Sequence, residues 1–170
     1  FESASMDYSS AYIPCMRLTY TGGGGGGGTD PTGPCETYTV GTGTSTTYNI
    51  PVNNYYNNTW TQILYTSDEL TPGTITSIGY QYYYSSPSTV KNDVEIYMAT
   101  TNKSSFASTS DYVSSGFTLV YSGSLNCSQG WNDFMLQTPY EYDGNGNLVV
   151  AVVDQSGSYN GSSYSFYYTS

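Results

Sequence analysis

Seven consecutive glycines, residues 22–28, constrain this chain more than any other feature. Polyglycine brings no side chain to a core and loses more backbone entropy on ordering than any other sequence, so it reads as a flexible tether. Thr29-Asp-Pro-Thr-Gly-Pro34 prolongs it to residue 34. Fully extended, residues 21–34 span roughly 45 Å, enough to fold back across one domain or to reach a neighbouring one. The segment before the tether is too short to enclose a core. The organisation expected is an arm (1–21) with one strand at 12–20, a linker (22–34) and one domain (35–170).

What the domain folds into follows from its polar residues. Only 9% of the chain is charged, and polarity comes instead from Ser, Thr, Asn and 21 tyrosines. Tyr and Thr suit a half-buried pleated surface, and long Ala/Leu/Glu/Lys runs are absent, so the class expected is all-β. Strand candidates fall at 36–42, 48–52, 60–66, 74–84, 93–100, 117–121, 130–137, 148–153 and 163–169. In 74–84, Ile78, Tyr80, Tyr82 and Tyr84 share a face and Ile75 does not, which predicts a bulge near Ser77. In 93–100, Val94, Ile96 and Met98 point inward against Glu95 and Tyr97. Residues 148–153 are apolar on both faces and predict a central strand. Residues 101–115 read as a polar excursion around Phe106 and Tyr112. Ser67-Asp-Glu-Leu70 predicts one helical turn capped by Ser67 or Asp68. About ten short strands with almost no helix predict a two-sheet β-sandwich of jelly-roll type.

The net charge of −10, with Arg17, Lys91 and Lys103 the only cations, argues against nucleic acid or an anionic membrane as partner. There is no run of about 18 apolar residues and no signal-peptide pattern, so the chain reads as a processed or excised piece without membrane insertion. Without histidine there is no Ser-His-Asp or Cys-His pair. The carboxylates Asp93/Glu95 and Asp133/Glu141 lie close in sequence and read as solvated faces rather than a glycosidase pair. A non-enzymatic chain is expected.

Three candidate sites remain. Cys15, Cys35 and Cys127 allow one disulfide: Cys15 with Cys35 would close the glycine loop, Cys127 with either would tie the tether to the body, and three buried thiols are the alternative. Asp143, Asn145 and Asn147 have the alternating spacing of a calcium loop, with Asp154 as a further donor, but the glycine and terminal Glu of an EF-hand are missing; a tight turn is the better account of Asp143-Gly-Asn-Gly-Asn147. No cofactor other than such a structural Ca2+ is expected. Trp60, Tyr55 and Tyr56 are candidates for stacking on sugar rings.

Dispersed motifs also carry a resemblance. Ile63-Leu-Tyr-Thr-Ser-Asp-Glu-Leu70, Gly73-Thr-Ile-Thr-Ser-Ile78, Val94-Glu-Ile-Tyr-Met98 with Lys103-Ser-Ser-Phe106, Val120-Tyr-Ser-Gly123, Gly130-Trp131, Thr138-Pro-Tyr-Glu-Tyr142 and Asn147-Leu-Val-Val-Ala-Val152 occur in one order. That order resembles a sandwich module of secreted and surface proteins of the Bacteroidetes group, similar to galactose-binding-like and cleaved-adhesin jelly rolls. The family's module ends in a closing strand that this chain lacks at its C-terminus, whereas Ile13-Pro-Cys-Met-Arg-Leu-Thr-Tyr20 resembles it. The resemblance thus implies a circular permutation, with the closing strand at the N-terminus.

A sandwich short of one strand exposes an unpaired edge. The strand carrying Tyr12, Ile13, Cys15, Met16, Leu18 and Tyr20 would fill it in its own domain or in a neighbour's, the second by donor-strand complementation. The function expected is an extracellular or cell-surface structural or adhesive module, a filament or adhesin subunit joined head to tail to other copies of itself. The alternative is a carbohydrate- or surface-binding accessory module of a secreted multidomain protein.

Overall fold

A computed structural model describes residues 5–7, 13–21, 35–161 and 164–169. Tyr12 and the linker 22–34 lie outside the described residues. Twelve strands occur among those described: β1 (Ser5–Asp7), β2 (Ile13–Pro14), β3 (Met16–Thr21), β4 (Glu36–Val40), β5 (Ser45–Thr47), β6 (Thr59–Tyr65), β7 (Gly73–Tyr82), β8 (Ser88–Thr101), β9 (Thr118–Cys127), β10 (Gly130–Tyr142), β11 (Asn147–Asp154) and β12 (Phe166–Thr169).

They form a β-sandwich. One sheet has five strands in the order β1-β6-β11-β8-β9. The other has seven: β3 lies between β4 and β7, β10 pairs the far side of β7, and β12 pairs β2, β5 and the end of β7. Strand alternation sends one face of each sheet into a shared core. The five-stranded sheet contributes Ile63, Tyr65, Val94, Ile96, Met98, Leu148, Val150 and Val152. The seven-stranded sheet contributes Met16, Leu18, Tyr20, Ile75, Ile78, Tyr80, Tyr82 and Phe166.

The inward set of β8 and the central position of β11 agree with the pattern of their sequences. So does the bulge in β7: Thr19 pairs with Ser77 and Tyr20 with Ile75, leaving Thr76 extra and returning Ile75 to the core face.

Four local expectations are corrected. Residues 48–52 are a bend rather than a strand, and β5 forms at Ser45–Thr47 instead. Pro51 has no N–H to give a ladder, and Ile50 and Val52 reach the core from the bend. The arm carries more than the one strand expected at 12–20, since β1 pairs in parallel with β6, Met6 opposite Trp60. β7 stops at Tyr82, leaving Tyr84 exposed. The turn at Ser67–Glu69 is a 3-10 turn entered from Thr66, whose N–H and hydroxyl both donate to the Glu69 carboxylate at 2.8 Å.

The excursion between β8 and β9, residues 102–117, lies over the outer face of the five-stranded sheet. Gln62, on that face, donates its amide to the Val113 carbonyl (2.8 Å) and accepts the Val113 N–H (2.9 Å). Asn147 donates to the Lys103 carbonyl at 2.7 Å. Lys103 pairs with Asp111, which also accepts the Ala107 N–H at 2.9 Å. Ala99 and Val149 are buried on this outer face, away from the main core.

Candidate functional site

The N-terminal strand is built into the interior of its sheet. Met16, Leu18 and Tyr20 are fully buried, and each position is paired on both sides: Met16 with Val40 and Tyr80, Leu18 with Tyr38 and Ile78, Tyr20 with Glu36 and Ile75. Pro14 stands where the strand turns away from β7 toward β12, so its missing N–H breaks no central ladder. Ile13 is partly buried against the core. Cys15 is buried on the opposite face, where its thiol donates to the Gly43 carbonyl at 3.6 Å. Tyr12 lies outside the described residues.

Arg17 fixes the register. Arg17 of β3, Gly79 of β7 and Asp133 of β10 form one row across three strands. Because Gly79 has no side chain, the guanidinium reaches over β7 to grip Asp133 with two parallel bonds, Nε to Oδ1 at 2.8 Å and Nη2 to Oδ2. A Cβ at position 79 would run into Asp133 Oδ1. The Trp131 ring completes the clamp, 4.9 Å from Arg17 Cζ. The sequence did not single out Gly79, and Trp131 stood out only in the Gly130-Trp131 motif and as an aromatic, with no link to Arg17. The only available signal was that Arg17 is one of three cations in the chain.

All three cysteines are free. The β3/β4 register places Cys15 and Cys35 at opposite ends of the pair, roughly 20 Å apart along the strand, too far for a bridge. Cys127 ends β9 in the other sheet, where burial pushes its thiol up to about 12. Three buried thiols are not found either, because Cys35 is exposed.

The calcium candidates do not converge. Asp143 Oδ1 accepts the Asn145 N–H at 2.8 Å, closing the turn between β10 and β11, and the hydrogen bonds from Asn145 hold the Asp143 carboxyl below its ordinary range. Asn147 is engaged elsewhere: its Oδ1 accepts the Ser67 N–H at 2.8 Å. Asp154 stands at the far end of β11, paired with Lys91. Among the described residues no three His, Cys, Asp or Glu side chains group as a metal site. Of the carboxylate pairs, Asp133 is bound to Arg17, Glu141 accepts the Thr74 hydroxyl at 2.8 Å, and Glu95 accepts the Tyr97 hydroxyl at 2.7 Å.

The aromatic candidates separate. Tyr55 meets Tyr56 and Tyr159 edge-on and Tyr48 at a tilt, in an exposed cluster that spans two loops. Trp60 instead meets Tyr112 of the excursion, ring centres 5.1 Å apart, on the outer face of the five-stranded sheet. No helix among the described residues is long and apolar enough to cross a membrane. Comparison with protein-family models, with curated proteins and with solved structures finds no match.

Proposed function

We propose that this chain is a non-enzymatic structural or adhesive module of the extracellular or cell-surface space, a subunit or repeat whose N-terminal strand completes a sheet in its own domain or in the next copy. One observation carries the reading: an N-terminal strand lies inside a sheet, and the linker that follows is longer than its closure requires. Tyr20 opposes Glu36, so β3 and β4 form a hairpin that a loop of about two to five residues closes. The chain spends residues 21–35 on it, most of them glycine.

Withdrawing β3 would leave β4 and β7 unpaired along one edge each and would empty the core sites of Met16, Leu18 and Tyr20. A neighbour's strand makes the same bonds and fills the same sites, so closure within a copy and between copies differ mainly in effective concentration. The contact between copies is head to tail and does not close on itself, which builds a filament. The resemblance of 13–20 to a closing strand, and the permutation it implies, support the same reading.

The test compares the native chain with one in which residues 22–34 are replaced by an Asn-Gly turn. Both are refolded at rising concentration and sized by light scattering and electron microscopy. The native chain is expected to form concentration-dependent linear oligomers and the short-linker chain to stay monomeric. A native chain that is monomeric at every concentration overturns the polymer reading.

A further inference from the structure

Across the outer face of the five-stranded sheet, strand pairing sets two adjacent rows: Trp60, Val153 and Glu95, then Gln62, Ala151 and Tyr97. The middle residue of each row is small, and the outer strands stand about 10 Å apart. The result is a trough of about 510 Å3 with Val153 and Ala151 as floor. Trp60 forms one wall, braced edge-on by Tyr112. Tyr97 forms the other, braced edge-on by Phe117 at 6.4 Å. The polar side chains sit at one end: Glu95, Gln155 and Asn58.

We propose that this trough binds a neutral glycan, taking a pyranose ring between the Trp60 and Tyr97 walls. The proposal goes beyond the assembly reading and does not depend on where the N-terminal strand docks. Aromatic faces match the C–H face of a sugar ring, and polar side chains at the end of the trough match its hydroxyl edge. Glu95 is already oriented as an acceptor, with its Oε2 receiving the Tyr97 hydroxyl at 2.7 Å and the Gln155 amide at 3.5 Å.

Charge narrows the ligand further. The accessible charge of the lining is the Glu95 carboxylate, with no Lys or Arg beside it, on a chain of net charge −10, which disfavours uronic and other acidic sugars. A hydrocarbon ligand would strip water from Glu95 without giving it a donor. The volume is that of a small-ligand pocket.

The experiment titrates the full chain, by calorimetry and tryptophan fluorescence, with gluco-, galacto-, manno- and xylo-configured hexasaccharides, and with oligogalacturonate as the acidic comparison. At least one neutral hexasaccharide is expected to saturate a single site and alter Trp60 emission. Trp60→Ala and Tyr97→Ala should each weaken that binding about tenfold or more. Glu95→Gln, an isosteric change at the trough's edge, should weaken it about threefold or more. No binding of any neutral oligosaccharide at millimolar concentration overturns the proposal, as does binding of oligogalacturonate alone. So does affinity unchanged in the two aromatic variants, and if those fail to fold, unchanged affinity in Glu95→Gln.

Discussion

At the scale of single residues, the decisive pair is Lys91 and Asp154, both with side chains 0% exposed. Lys91 Nζ lies 2.7 Å from Asp154 Oδ2 and donates to the Tyr56 carbonyl (2.8 Å) and the Ser158 carbonyl (2.7 Å). Asp154 Oδ1 accepts the Ser156 N–H at 2.9 Å. Two β strands and two loops are thereby held at one charge pair. A buried pair contributes modestly against an apolar replacement, but removing one partner strands the other. Lys91→Met or Asp154→Leu should each cost about 3–5 kcal/mol in urea unfolding, and the double variant clearly less than the two losses summed. Additive losses would show that the charges act independently. The strand pattern does not reveal this pair. Period-two alternation assigns a residue to a face but cannot name a partner 63 positions away. By composition alone a lysine or aspartate reads as solvated.

At the scale of elements, the excursion 102–117 turns an open sheet face into a walled one, since it carries Tyr112 and Phe117 to Trp60 and Tyr97. Its internal tie is Asp111, whose carboxyl is held below its ordinary range first by Lys103 and then by the Ala107 N–H. A carboxyl depressed in the folded state stabilises above its unfolded pKa, and that contribution is lost as pH falls through the folded value. Acidification should therefore loosen the excursion ahead of global unfolding, seen as a change in Trp60 emission that Asp111→Asn removes. A single transition shared by Trp60 emission and far-ultraviolet dichroism would sink this assignment. Phe106 and Tyr112 stood out in the sequence as apolar residues in a polar stretch. What Tyr112 covers depends on β6, more than 40 residues earlier, through Trp60 and the Gln62–Val113 bonds.

At the scale of the whole molecule, the core is unusually phenolic. Burial raises the pKa of Tyr20 and Tyr82 to about 12, and those of Tyr65 and Tyr80 further. A raised phenol contributes stability that is intact below the unfolded value of about 10 and is lost as pH rises through the folded one. The melting temperature should therefore fall steeply above about pH 10, together with phenolate absorbance, and Tyr80→Phe should soften the fall. A melting temperature flat to about pH 11 would contradict this.

The amino-acid sequence by itself determined the all-β class, the inward faces of β7 and β8, the bulge that returns Ile75 to the core, and the central place of β11. These are written in alternation between neighbouring residues, which a strand reads locally. Only the tertiary structure decided that β3 lies inside a sheet, that Arg17 crosses Gly79 to Asp133, that Lys91 meets Asp154, and that Trp60 parts from Tyr55 and Tyr56 to wall a trough with Tyr97. Each of these rests on which distant strands pair and in what register, and register is a property of two strands together.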